Sequence, residues 1–249
     1  MKARFLLLPL IFVISSESFA KDISIMSWNV YFDDATGYQR YPEIIRTISE
    51  QKPDVVCLQE VTNKFIGQLT SSSNLAGYLF TNSHGDGAYK NIILSKPRIS
   101  SSGIINLPTK MNRYAPYIET EINGKSTVVI NLHLDSMMDD TELRISQLEK
   151  VVEFTNNAHS FVLCGDLNFG DGDKENEFVS THFKDIGAKN KQVTYDVENN
   201  VLAEKTKFLL EKSRRLDHIL ISDDIQASNY RVLITPYSDH YPITADLTP

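Results

Sequence analysis

Apolar residues recur along this chain in runs of strand length, and run after run stops on a polar side chain. The runs are 23–30 (ISIMSWNV), 54–60 (DVVCLQE), 91–96 (NIILSK), 117–122 (YIETEI), 126–134 (STVVINLHL), 161–167 (FVLCGDL), 215–222 (RLDHILIS), 230–236 (YRVLITP) and 241–247 (YPITADL). Two stretches carry helical spacing instead: 42–51, with Ile44, Ile45 and Ile48, and 139–157, with Ile145, Leu148, Val151 and Val152 on one face. Thr141, or Asp140 before it, is placed to cap the second. Polar stretches at 33–40, 81–89, 107–114, 135–140, 169–176 and 196–205 read as loops. Many strands with a few interleaved helices predict a layered α/β or α+β domain. No repeat, low-complexity tract or linker divides it.

The first twenty residues stand apart. Lys2 and Arg4 precede an apolar run from Phe5 to Ile14, and Ser18-Phe19-Ala20 supplies small residues for cleavage. The run is shorter than the roughly 20 residues a membrane span needs, so residues 1–20 read as a secretory signal and 21–249 as one exported domain, periplasmic or extracellular. The whole chain has a net charge of −7 with 41% hydrophobic residues; without Lys2, Arg4 and Glu17 the charge becomes −8. That balance argues against non-specific attraction to nucleic acid or anionic membrane, although bound cations reverse such a field locally. Cys57 and Cys164 each lie inside an apolar run with no disulfide framework around them, and the expectation is two buried free thiols rather than a bridge.

The candidate chemistry lies where the strands stop. Asn29, Glu60, His133, Asp166 with Asn168, Asp217, and Asp239-His240 fall at the mouths of six strands. An unpaired buried amide alone costs roughly 2–7 kcal/mol, so the recurrence points to one shared polar pocket. Carboxylate and amide oxygens suit a hard cation, Mg²⁺ or Mn²⁺, and the scarcity of thiols argues against zinc. An imidazole oriented by an acid suits proton transfer near neutral pH. Together these groups describe metal-assisted hydrolysis of a phosphate ester.

The motifs SWN (27–29), LQE (58–60), NLHL (131–134), GDLN (165–168), RLDHI (215–219) and SDH (238–240), in this order, resemble the endonuclease/exonuclease/phosphatase superfamily over about residues 23–247. The resemblance implies a four-layered sandwich of two packed, mainly antiparallel β-sheets flanked by helices, with the site at one edge. It implies that Asn29 and Glu60 hold the metal, against ordinary readings as a turn cap and a surface ion pair. It assigns Asp166 and Asn168 to the attacking water and the phosphoryl oxygen, His133 to the developing phosphate charge, and His240, oriented by Asp217, to the general base. The base role has also been given to the carboxylate at the Asp166 position, and both assignments stand open. Asp239 either touches a second cation or braces its loop. Thr194 matches a position near the site. His218, one residue beyond Asp217, turns to the other face of its strand. His84, His159 and His182 read as solvated or capping, and Arg144 as a helix-to-core contact.

The resemblance settles the substrate less well. Residues 194–208 with RRLDHIL and YSDHYPI look similar to bacterial sphingomyelinases, with transient membrane contact implied. Yet only 16 residues separate Ser222 from Asp239, which leaves little room for a membrane hairpin. A secreted nuclease is the alternative, with Lys205, Lys207, Lys212, Arg214 and Arg215 as its basic cluster. An inositol-phosphate phosphatase is third, and a catalytically dead binding module is the reading outside enzymology. No dedicated protein partner is evident, and a monomer is expected.

Overall fold

The computed structural model describes residues 22–81, 87–158, 160–206 and 212–248. The expected secretory signal (residues 1–20), His84, His159 and Lys207 lie outside the described residues. Along the chain run β1 (Ile23–Asn29), α1 (Asp34–Gln51), β2 (Val55–Thr62), α2 (Asn63–Ser71), β3 (Leu79–Phe80), β4 (Tyr89–Ser95), β5 (Ile99–Asn106), β6 (Tyr114–Ile122) and β7 (Lys125–His133). Then follow α3 (Thr141–Thr155), β8 (Phe161–Asp166), α4 (Glu175–His182), β9 (Lys184–Asp185), α5 (Val201–Thr206), β10 (Asp217–Ile221), β11 (Gln226–Val232) and β12 (Ile243–Thr248).

The strands form two six-stranded sheets, ordered β11-β12-β1-β2-β4-β3 and β5-β6-β7-β8-β10-β9. Each has one parallel pair at its centre, β1 with β2 and β7 with β8, and antiparallel pairs elsewhere. A parallel pair needs a crossover, and α1 and α3 supply the two. Alternate side chains build three apolar layers. Ile25, Val55, Ile93, Val129, Val162 and Ile219 pack between the sheets. Met26, Trp28, Val56 and Leu58 face outward onto Tyr41, Ile44 and Ile48 of α1 and Phe65 and Leu69 of α2. Ile130, Leu132 and Leu163 face the other way, onto Leu148 and Val151 of α3 and Val179 of α4. The result is the four-layered DNase I-like sandwich, helices outside and sheets inside.

Cys57 and Cys164 are not free thiols. They are joined in a disulfide across the sandwich, with their Cα atoms 6.5 Å apart. The reason is geometric: β2 and β8 are both central strands, and both cysteines point into the layer between the sheets, within the roughly 4.4–6.8 Å that a bridge spans. The bond closes a loop of 107 residues. Loops of that size are worth about 4–5 kcal/mol in the chain-entropy account, and loss of a native bridge costs about 2–5 kcal/mol. Replacing both cysteines with alanine is therefore expected to lower the melting temperature by on the order of 10 °C in calorimetry. An unchanged melting temperature would show that the bridge contributes nothing.

Candidate active site

Strand register assembles the site. In the second sheet His133 of β7 pairs with Asp166 of β8, and Asp166 pairs with Asp217 of β10. Residues in register on neighbouring strands project to the same face, so these three side chains stand in a row. Parallel strands end at the edge where their antiparallel neighbours begin, and the row therefore lies at one rim of the sandwich. In the first sheet Asn29 closes β1 opposite Gln59 of β2. Strict alternation would send Glu60 to the opposite face from Gln59. Instead β2 shifts register against β4 between Leu58 and Val61, and Glu60 adopts φ 58°. A left-handed glutamate costs about 1–3 kcal/mol and persists where the surroundings impose it. Ser238, Asp239 and His240 enter from the segment just ahead of β12.

All eight residues singled out from the sequence meet at this rim. Asn29 Nδ2 donates to Asp166 Oδ2 at 2.9 Å. Tyr31 N–H donates to Asn29 Oδ1 at 3.1 Å, and Phe32 N–H donates to Glu60 Oε2 at 3.1 Å. His133 Nε2 lies 3.5 Å from Asp166 Oδ2 and 3.8 Å from Glu60 Oε1. His240 Nδ1 and Asp217 Oδ2 are 2.8 Å apart, and His240 Nε2 faces Asp166 Oδ2 at 3.7 Å. Asn168 donates its backbone N–H to Asp166 Oδ1 at 3.0 Å, while its Nδ2 goes to the Leu134 carbonyl. Asp239 accepts from the hydroxyls of Ser238 and Thr206 at 3.3 and 3.4 Å. Donor atoms of Asp166, Asp217 and His240 all lie within 4.8 Å of one another.

Further groups hold these side chains, and the sequence does not show their bracing roles. Arg113 Nη1 donates to His133 Nδ1 at 3.0 Å, which leaves the ring proton on Nε2, toward the carboxylates. Thr194 Oγ1 accepts the N–H groups of Leu216 and Asp217, and its carbonyl accepts from Tyr241 N–H at 2.7 Å, so it braces the Asp217–His240 pair from both sides. Trp28 Nε1 donates to the His240 carbonyl, and Ser238 Oγ donates to the Asn29 carbonyl at 2.6 Å. In the sequence Thr194 matches a position near the site, and Trp28 and Ser238 lie inside the SWN and SDH motifs, whereas Arg113 carries no signal there. His218 does turn away as alternation requires, onto Asp185 and the Phe169 carbonyl. His182 bonds to the Phe178 carbonyl of its own helix, and Arg144 pairs with buried Glu175.

The electrostatics of the rim are lopsided. Burial pushes the carboxyl groups of Glu60 and Asp166 up; Asp166 adds to the first and Asp217 to the second, against the lowering pull of His240. Asp239 is raised to about 6, by burial first, with His240 opposing and Glu60 adding. His133 is held well below its ordinary value by burial, then by Arg113 and His240, and is neutral. Burial opposes the charged form of His240, yet Asp217, Asp166 and Asp239 outweigh it and hold its pKa well above the ordinary value. Beside this acidic centre runs a cavity of about 520 Å³ lined by Tyr89, Lys90, Asn91, Met111, Arg113 and Tyr114. Phe32 stacks on Tyr89 at 5.0 Å, and the Arg113 guanidinium lies 5.4 Å from the Tyr89 ring centre.

A DNase I-like sandwich with acids, amides and two imidazoles gathered at the rim of its paired sheets defines a class of protein. A profile of the Endonuclease/Exonuclease/phosphatase family matches residues 26–240, and the chain belongs to that family. Among curated proteins it is similar to Tyrosyl-DNA phosphodiesterase 2 of Mus musculus, 28% identical over 193 residues, covering 72% of this chain and 51% of the relative. It is also similar to the Gallus gallus protein of that name, 27% identical over 157 residues, covering 60% and 42%. The chain thus spans about half the length of the curated relatives it matches. Of solved structures, D. rerio TDP2 complexed with a single-strand DNA product superposes with a TM-score of 0.79 at 23% identity, covering 92% of this chain and 99% of that one. An endonuclease/exonuclease/phosphatase family protein from Bacteroides thetaiotaomicron gives 0.75 at 18% identity, covering 92% and 98%. At these identities the two structures show the shared fold.

Proposed function

We propose that the protein is an exported, divalent-metal-dependent phosphodiesterase that hydrolyses nucleic-acid phosphodiesters. The observation that carries the reading is the Asp217–His240–Asp166 alignment facing Glu60 and Asn29 across the rim. The donor set suits a hard cation: burial makes each of three crowded carboxylates harder to ionise, His240 and, at Glu60, Arg113 offset this only in part, and no thiolate is present. Glu60 and Asn29 would hold Mg²⁺ or Mn²⁺, with Asp239 as a further candidate ligand. Asp217 is assigned to orienting His240, since its Oδ2 lies 2.8 Å from His240 Nδ1. When bound, such an ion polarises the phosphoryl oxygen and stabilises charge in the transition state.

The chain's own groups carry the remaining work. Asp217 orients His240, whose Nε2 faces Asp166; once a cation bound to the carboxylates offsets the field that raises the His240 pKa, the neutral ring takes the proton of the attacking water. Asp166 and Asn168 orient that water and the phosphate. His133 Nε2–H points at the same spot as a neutral donor, kept so by Arg113.

Three observations support the substrate class. The Phe32–Tyr89 stack offers a base a flat apolar face, Lys90 and Arg113 beside it suit phosphate, and the curated relatives carry DNA in their names. Within the 205–215 basic cluster, Arg215 is buried against Asp171 and Asp185 and Arg214 pairs with Asp173, so neither arginine is free to meet a phosphate backbone. The disulfide supports export, since such bonds persist in oxidising compartments. Turnover of a 5′-phosphotyrosyl single-stranded oligonucleotide and of sphingomyelin vesicles, assayed side by side with Mg²⁺, tests the substrate. Cleavage of the oligonucleotide alone supports the reading, and cleavage of the lipid alone replaces it with a sphingomyelinase.

A further inference from the structure

We propose that Arg40 is a positioning residue for the cation site, its guanidinium aiming two consecutive peptide N–H groups at Asn29 and Glu60. The inference rests on the reading of those two residues as cation ligands. Arg40 lies in α1 and is 5% exposed. Nε donates to Thr36 Oγ1 at 2.9 Å; Nη1 donates to the carbonyls of Val30 and Tyr237 at 2.9 and 3.0 Å; Nη2 donates to those of Tyr31 and Asp33 at 2.9 and 2.8 Å. None of these acceptors is a carboxylate. A buried cation without a bonded anion is costly, and its partners show what it holds.

Two peptide units are gripped from both sides. The Val30–Tyr31 peptide gives its carbonyl to Arg40 and its N–H to Asn29 Oδ1. The next peptide, Tyr31–Phe32, gives its carbonyl to Arg40 and its N–H to Glu60 Oε2. Tyr31 is left-handed at φ 59°, the kind of turn that lets successive N–H groups converge on one oxygen-rich spot. The positive charge on the carbonyl side polarises both peptides and strengthens their N–H donation. Through Tyr237, Arg40 also ties this turn to the segment carrying Ser238, whose hydroxyl bonds back to the Asn29 carbonyl.

The other half of the fold provides a contrast. His133 ends β7 as Asn29 ends β1, and Arg144 follows His133 by eleven residues as Arg40 follows Asn29. Arg144 Nη1 likewise donates to two loop carbonyls, those of Asp135 and Met137. Its Nε, however, is paired with Glu175, and the N–H groups of its loop go to the Asp166 carbonyl and Gln147 instead of to a site carboxylate. Arg144 staples a loop, whereas Arg40 reaches through its loop to the ligands.

The test is calorimetric titration of Mg²⁺, without substrate, into the wild-type protein and the Arg40→Lys, Arg40→Met and Thr36→Val variants, each verified as folded by circular dichroism. Loss of a group that orients a metal ligand weakens binding by about 10–100-fold, and Arg40→Lys is expected in that range because an ammonium keeps the charge but not the planar fork. Arg40→Met weakens binding at least as much, and Thr36→Val, which removes the Nε acceptor together with a hydroxyl donor to Asp33 but leaves the four carbonyl contacts, shifts it the same way by a smaller factor. A folded Arg40→Lys variant with a lower melting temperature and wild-type Mg²⁺ affinity overturns the proposal and leaves the phosphodiesterase reading intact. If neither Arg40 variant folds, unchanged affinity in Thr36→Val overturns it. Absence of Mg²⁺ binding by the wild type removes both readings together.

Discussion

The His240→Ala variant is expected to lose about 10²–10⁴-fold in turnover, the range for removing a positioned acid–base group. The size of the effect follows from what His240 touches. Its Nδ1 is the partner of Asp217, its Nε2 faces Asp166, and its backbone is fixed by Trp28 and Ser238 independently of the ring. Deleting the ring therefore removes the proton-transfer group while the loop stays anchored. It also strands Asp217, which is fully buried and whose Oδ1 already lacks a partner, so some loss of stability accompanies the loss of rate. Asp217→Asn provides the companion measurement: the imidazole remains but its tautomer is no longer dictated, and turnover falls toward the same level. A folded His240→Ala enzyme at the wild-type rate would show that proton transfer runs through another group, with Asp166 the first to examine.

Glu60→Gln separates activity from stability. The substitution keeps the shape and still offers an oxygen to the Phe32 N–H, but it removes the charge that would hold the cation. Since altering a residue that merely supports a ligand costs about 10–100-fold, removal of the ligand's charge is expected to cost turnover at least about 10²-fold. Stability should move the other way. Burial raises the Glu60 carboxyl, which means that its ionised form is unfavourable in the metal-free fold. The glutamine variant should therefore melt higher than wild type in EDTA and lose that advantage in Mg²⁺, which stabilises only a protein that binds it. Equal melting temperatures with and without Mg²⁺ in the wild type would remove Glu60 from the ligand set.

What could be read from the sequence was what strand periodicity and abrupt polar endings encode. β7, β8 and β10 lie where their apolar runs predict, and His133, Asp166 and Asp217 stand in register because each closes or opens such a run. The α3 helix spans 141–155 within its expected window, since its apolar face is intact. Edges and irregularities were not legible. β5, with the sequence ISSSGIIN, is an edge strand exposed at most positions and carries little apolar signal. The α1 helix begins at Asp34, eight residues before Pro42; a proline suggests a helix start, but here Asp33 caps the end and Tyr41 buries among the core residues. The α4 and α5 helices fall in or beside polar stretches that read as loops. Glu60 reaches the site only through a register shift and a left-handed backbone, neither of which a run of apolar letters reports. The disulfide joins residues 107 apart, and that pairing depends on how the two sheets stack, which is a property of the assembled sandwich.

The most direct test of the central claim is the rate of phosphodiester cleavage in a single-stranded oligonucleotide by the purified protein, measured in Mg²⁺, in EDTA, and after Mg²⁺ is restored. Cleavage in Mg²⁺ that stops in EDTA and returns with the metal is the predicted result. Equal cleavage in EDTA would contradict a metal-assisted mechanism at the Glu60–Asn29 edge. No cleavage of this or any other phosphodiester in Mg²⁺ or Mn²⁺ would mean that the assembled rim binds without reacting.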